Sequence, residues 1–274
     1  MNKLPIIDAH SHIWSKEYDH DRNEILQKAQ NNEILGIIEV GCDFISSKKA
    51  LELSKDYSFI YPVCGLHPHD ANKIDLELKA ISELASNKNF IGIGEIGLDY
   101  NRMHSSQEEQ SRAFKAQLRL AVELKLPVVI HSRDADNETF SILKNWKKKA
   151  GNYLGKDREI GMMHCFASDY KLAIEYIKLG FMISVPGTVT YPNNIKLHKT
   201  VKNIPLEKIL IETDTPYLTP IPNRGKRNES EFIKYTLKKV IELRKNNPEF
   251  IANTIFNNTK QLFNINIFER NYND

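Results

Sequence analysis

The stretch Leu4-Pro5-Ile6-Ile7-Asp8-Ala9-His10-Ser11-His12 decides the fold. An apolar run passes directly into a cluster of acid and imidazole. Alternate side chains of an extended strand share a face, so this spacing predicts Asp8, His10 and His12 pointing the same way. Two imidazoles converging at the end of a buried strand make a metal chelate. Alone, a His-x-His pair is read more simply as one hydrogen-bonded core imidazole and one surface imidazole. A chelate needs further ligands at the ends of other strands.

Those strands are visible. With the first taken as residues 6–8, further short apolar runs occur at 36–40, 59–64, 90–95, 128–131, 161–164, 181–184 and 209–212. Each is rich in Ile and Val and bounded by Gly, Pro or polar residues, as strands buried on both faces are. Helical periodicity fills the gaps at 21–31, 46–55, 76–85, 107–124, 137–149, 170–179 and 194–201. Phe114, Leu118, Ala121 and Val122 form the clearest apolar stripe. Two more helices, 231–245 and 249–263, follow the last strand, with Pro248 at a helix start where its missing N–H is not needed. Strands alternating with helices predict a distorted (β/α)8 TIM barrel with extra C-terminal helices, as a single domain over residues 1–274. A doubly wound sheet shares this local pattern, but no Gly-x-Gly-x-x-Gly follows the first strand.

Composition bounds the function. Of 274 residues, 41% are hydrophobic and 27% charged, enough for a core, and the net charge is only +3. A polyanion site must therefore be local or rely on metal ions. Cys42, Cys64 and Cys165 have no ligand spacing among themselves, and Met1 to Ile7 leaves no room for a signal sequence. No run approaches the ~20 apolar residues of a membrane span. The expectation is a cytoplasmic monomer with no membrane contact.

Catalysis in such a barrel sits at the carboxyl ends of the strands. Those ends carry Asp8, His10 and His12; then His67 and His69; Glu95 and Asp99; His131; His164; and finally Glu212 and Asp214. Polar groups there are buried unless they bind something. His10, His12, Glu95, His131, His164 and Asp214 make a site for two divalent ions, with Glu95, flanked by Gly92, Gly94 and Gly97, as the natural bridge. Imidazoles with carboxylates suit Zn, Mn, Fe or Co better than Mg. Strand alternation puts Glu212 and Asp214 on one face and does not choose between them.

The chain resembles the TatD family of metal-dependent deoxyribonucleases, a branch of the amidohydrolase-like barrels. The matching stretches are Asp8-Ala9-His10-Ser11-His12, Gly65-Leu66-His67-Pro68-His69, Gly94-Glu95-Ile96-Gly97-Leu98-Asp99-Tyr100, Leu126-Pro127-Val128-Val129-Ile130-His131-Ser132-Arg133, His164-Cys165-Phe166, Ile211-Glu212-Thr213-Asp214-Thr215-Pro216-Tyr217-Leu218 and Pro222-Asn223-Arg224-Gly225-Lys226-Arg227-Asn228. Departures are confined to Asn101 after Tyr100 and Ala167-Ser168 after Phe166. The resemblance implies one ion on His10, His12 and Asp214, a second on His131 and His164, and Glu95 bridging. It implies a metal-activated water cleaving DNA phosphodiesters from the 3′ end of single strands, with Mg, Mn or Zn as the ion. It favours Asp214 over Glu212 as ligand and as the group acting on the water, with Glu212 behind it.

Further roles are expected at the mouth. His67 or His69 contacts a substrate phosphate or protonates the leaving group. Arg224, Lys226 and Arg133 bind phosphate, and Tyr100 lies beside the substrate. Lys226 and Arg227, each taken separately, read equally well as part of a solvated basic loop. Asp8 is expected behind a ligand imidazole. Cys165 is expected on the opposite strand face, buried and inert; Cys42, His20, His104 and His198 carry no signal. The alternatives are a metal-dependent hydrolase of small amides, lactones or esters, and a barrel that has kept its metal but lost catalysis.

Overall fold

In the computed structural model, residues 4–32, 34–86 and 88–267 are described. Residues 1–3 and 268–274 of the expected domain lie outside them. All eight expected strands form: β1 (Ile6–Ser11), β2 (Ile34–Val40), β3 (Ile60–Cys64), β4 (Gly92–Asp99), β5 (Val128–Arg133), β6 (Gly161–Met163), β7 (Phe181–Val185) and β8 (Ile209–Ile211). They pair in parallel in chain order. The ring closes beyond the end of β8, where His12 N donates to Thr215 O at 3.0 Å and Asp214 N donates to His10 O at 3.0 Å. Closure thus runs through the segments that carry the candidate ligands.

The helices are α1 (Arg22–Asn31), α2 (Phe44–Asp56), α3 (Ile74–Ala85), α4 (Gln107–Leu124), α5 (Asp136–Ala150), α6 (Tyr170–Leu179), α7 (Ile195–Asn203), α8 (Ile233–Arg244) and α9 (Pro248–Phe263). Among the described residues none is long and apolar enough to cross a membrane. In α4, Ser106 and Glu109 form a reciprocal capping box at the start. Two buried glutamines of α4 then hold strand ends. Gln117 bonds both backbone groups of Leu66 at 2.7 and 3.0 Å, and Gln110 those of Asp99 at 2.8 and 3.0 Å. The apolar stripe of this helix packs the barrel, while its amides fix the exits of β3 and β4.

Two layers of core result. One lies between strands and helices. The other fills the lumen with Ile7, Ala9, Ile38, Val40, Val63, Val129, Met162, Met182 and Leu210, closed from below by Phe256, Leu262, Phe263 and Ile265.

Two β-bulges re-aim the mouth. On β1 the register against β2 shifts between Asp8 and Ser11. On β4 the register against β5 shifts between Ile93 and Ile96, so Gly94 and Glu95 together face one partner position. A bulge adds one residue and reverses the alternation beyond it. Asp8 therefore does not share a face with His10 and His12, contrary to simple alternation. Glycine permits the crowding: a Cβ on Gly97, where φ is +148°, would lie 1.9 Å from His131 O.

Candidate metal centre

Six side chains from five strand ends meet at the carboxyl mouth. The Nε2 atoms of His10 and His12 face each other at 3.0 Å. Glu95 Oε2 lies 3.4 and 3.5 Å from them, and Asp214 Oδ1 3.8 and 3.6 Å. Donors arranged tetrahedrally at ~2.1 Å from one ion stand about 3.4 Å apart, so these spacings fit a cation cage. The other oxygen, Glu95 Oε1, is 2.6 Å from His131 Nδ1, 3.4 Å from His164 Nε2 and 3.5 Å from His67 Nε2. Glu95 thus presents one oxygen to each half of the cluster.

Neighbouring groups decide which nitrogen several of the rings turn inward. His12 Nδ1 lies 2.7 Å from Val40 O; a carbonyl only accepts, so Nδ1 carries the proton and Nε2 is free to ligate. Glu212 Oε1 stands 3.1 Å from His164 Nδ1, and the same carboxylate accepts from Cys165 N at 2.5 Å and Ser184 Oγ at 2.6 Å. Asp99 holds His131 Nε2 at 3.2 Å and His69 Nε2 at 3.0 Å. Asp8 supports the end of β8 instead of an imidazole, which corrects its expected role: it accepts from Thr213 N at 2.9 Å, Thr213 Oγ1 at 2.6 Å and Ser230 Oγ at 2.8 Å. Asn228 Nδ2 bonds Thr213 O and Tyr217 O at 2.8 and 2.6 Å. Together they brace Asp214, which sits at φ +57°. A left-handed non-glycine residue costs about 1–3 kcal/mol and is characteristic of functional sites.

Electrostatics fit a cation. Burial works to raise the Glu95 carboxyl, but the His164 charge and hydrogen bonds from His10 and His12 outweigh it and hold it well below the usual range. Burial opposes charging of His164, yet Glu212, Glu95 and Asp214 bring it to about 9. Fully buried His10 has its Nδ1 without a partner while its Nε2 faces a second imidazole. A divalent ion would be held by the inward-facing Nε2 atoms and the carboxylate oxygens of Glu95 and Asp214.

The match to the family model for TatD-related DNases runs over residues 7–264. The chain belongs to the TatD-related DNase family. It is 38% identical over 262 residues to an uncharacterized metal-dependent hydrolase, YabD, of Bacillus subtilis, covering 95% of this chain and 100% of that one. It is 34% identical over 267 residues to the 3′-5′ ssDNA/RNA exonuclease TatD of Citrobacter koseri, covering 95% and 99%. The solved structure of the TatD homologue YjjV from Escherichia coli superposes with a TM-score of 0.88 at 29% identity, covering 95% and 98%.

In this TatD-family barrel the remaining expected residues separate. His67 is buried and accepts from His69 N at 3.1 Å through Nδ1, so its Nε2–H points toward Glu95. Burial lowers His67 to about 4, leaving it a neutral donor at pH 7. His69 instead turns to Asp99, and the ring of His104, expected to be uninvolved, lies 4.8 Å from it. Arg224 is exposed, its guanidinium 4.4 Å from the Tyr191 ring, and Lys226 is exposed beside it. Arg227 is engaged elsewhere, forked onto Asp21 at 3.0 and 2.6 Å and stacked over Tyr18 at 4.4 Å. Arg133 lines a cleft of about 690 Å³ together with Tyr100, Asp134, Asp136, Glu138 and Lys196. The Tyr100 hydroxyl is already bonded to Glu138 at 2.7 Å. Phe166 is buried, whereas Tyr217 is 58% exposed.

Two cysteines correct the sequence reading. Cys165 is partly exposed and clusters with His164 and Asp214, because β6 ends at Met163 and Cys165 takes φ +48° beyond it. Cys42 clusters with His12 and Glu95. The signal in the sequence is its place two residues past β2, at a strand end like those that carry the other candidate ligands.

Proposed function

We propose that this chain is a single-domain, metal-dependent nuclease that removes nucleotides from the 3′ end of single-stranded DNA. The observation that carries this reading is the convergence of His10, His12, Glu95, His131, His164 and Asp214 at the mouth of a TatD-family barrel. His10, His12 and Asp214 would hold one divalent ion, His131 and His164 a second, with Glu95 shared. Bound cations supply charge neutralisation and Lewis-acid polarisation of the phosphodiester. The ions are Mg, Mn or Zn.

Asp214 orients the attacking water and accepts its proton; its braced, left-handed backbone fixes the carboxylate for that task. His67 offers a neutral Nε2–H to a phosphate oxygen. His69 stays on Asp99 and helps position His131. Arg224 and Lys226, outside β8, meet the substrate backbone, and Tyr217 offers a face on which a base stacks. Arg133 and Tyr100 lie on the other side of the mouth, where Arg133 reaches an adjoining phosphate. The direction of digestion follows relatives named 3′-5′ ssDNA/RNA exonucleases. Its free cysteines suit a reducing cytoplasm, and we take it to act there as a monomer.

The test is digestion of end-labelled single-stranded DNA and RNA with each metal, beside a panel of amides and lactones. Shortening from the 3′ end in DNA is the expected result. Turnover of the small molecules alone would overturn the nuclease reading and restore a small-molecule hydrolase.

A further inference from the structure

Two thiols stand at this centre and the hydrolytic reading uses neither. Cys42 Sγ lies 3.8 Å from His12 Nδ1 and 4.0 Å from Glu95 Oε2. Its backbone is held on both sides: Cys42 N donates to Ser46 Oγ at 2.8 Å, and Cys42 O accepts from His67 N at 2.8 Å. The thiol is therefore aimed by the β2 exit and not left to a mobile loop. Cys165 clusters separately with His164 and Asp214. Cys64 belongs to the apolar layer outside the barrel.

The span to Glu95 is chemically meaningful. A carboxylate oxygen at ~2.1 Å and a thiolate sulfur at ~2.3 Å from one ion can stand at most about 4.4 Å apart. The observed 4.0 Å lies inside that limit. The same Glu95 oxygen that Cys42 approaches also lies 3.4 and 3.5 Å from the Nε2 atoms of His10 and His12. Cys42, His12 and Glu95 together form one of the groups of candidate ligands at the mouth. Sulfur selects soft ions such as Zn²⁺ or Cd²⁺, whereas Mg²⁺ prefers oxygen.

We propose that Cys42 is an additional sulfur donor beside His12 and Glu95 in the centre, engaged by thiophilic divalent cations and idle with hard ones. When it engages, the Sγ–H proton passes to solvent and a sulfur–metal bond forms, with no change of oxidation state. This rests on the metal centre proposed above. It makes the identity of the bound ion a property of this chain's β2 exit.

The test titrates the full-length protein with Cd²⁺, reading the ultraviolet thiolate-to-cadmium charge-transfer band alongside calorimetry, in wild type, Cys42→Ser and Cys165→Ser. Wild type and Cys165→Ser should show the band. Cys42→Ser should lose it and bind Cd²⁺ about tenfold or more weakly, with an unchanged melting temperature. An undiminished band in Cys42→Ser overturns the proposal. Cd²⁺ bound calorimetrically by wild type with no band also overturns it, and leaves the metal centre standing. Calorimetry showing no divalent cation bound, Mn²⁺ included, overturns both.

Discussion

The two ends of this barrel obey opposite rules. At the floor, Ile7, Met162, Met182 and Leu210 meet Phe256, Leu262 and Phe263 in an apolar plug. At the mouth, Asp8, His10, Glu39, Glu95, Asp99 and Glu212 are all 3% exposed or less, and Asp214 is left-handed. Burying carboxylates and imidazoles together is expensive unless each is paired or meets a metal. The floor therefore supplies stability and the mouth spends it on chemistry. Mutations at the two ends should separate into different observables.

Asp214→Asn gives the largest expected effect. Asn tolerates the left-handed conformation, so the fold stays intact while single-stranded DNA hydrolysis falls by about a thousandfold or more. Activity within tenfold of wild type would remove Asp214 from the reacting centre. At the floor, Phe263→Ala should lower stability by about 3–5 kcal/mol in denaturant titration while preserving kcat at low temperature. A loss of kcat with unchanged stability would break the contrast between the two ends. Glu212→Gln keeps the shape but loses the charge that holds His164 Nδ1. Metal affinity should weaken by about 10- to 100-fold in calorimetry, since partners of this kind tune their ligand.

The smallest effects compare neighbours on one loop. Arg227→Ala should cost about 1 kcal/mol of stability, through loss of the fork to Asp21 and the stack on Tyr18. The hydrogen bond from Arg227 holds the Asp21 carboxyl below its ordinary value of 3.8. A depressed carboxylate stabilises above its unfolded pKa and loses that effect as pH falls. The gap between wild type and Arg227→Ala should therefore narrow as pH falls below about 4, leaving the part due to the Tyr18 stack. Arg224→Ala should leave melting unchanged, raise KM for single-stranded DNA a few-fold and reduce the salt slope of binding by about one. An equal stability loss in both variants would show that the loop is purely structural.

Much of this was legible in the chain. Apolar runs of β-branched residues located all eight strands, and α4 and α6 were bounded correctly at 107–124 and 170–179. The cluster of side chains at the mouth was legible because His and Glu at the ends of buried strands have no cheap explanation. Asp8 misled, since a period of two does not anticipate a bulge. Cys165 misled for a related reason: β6 stops at Met163, and strand alternation has no force beyond it. Arg227 and Arg224 look alike in sequence, and only the positions of Asp21, Tyr18 and Tyr191 tell them apart.

The sequence by itself determined the number and order of the strands, the family and the residue types that gather at the mouth. Those depend on local periodicity and on which residues end each run. The tertiary structure decided which nitrogen of each imidazole faces inward, how Glu95 divides its two oxygens, and that His67 points into the mouth while His69 turns to Asp99. It also brought Cys42 to the centre. The physical reason is that such choices rest on bulges, left-handed residues and hydrogen bonds between segments up to about two hundred residues apart, such as Asp8 and Thr213. Local propensity carries no information about partners at that separation.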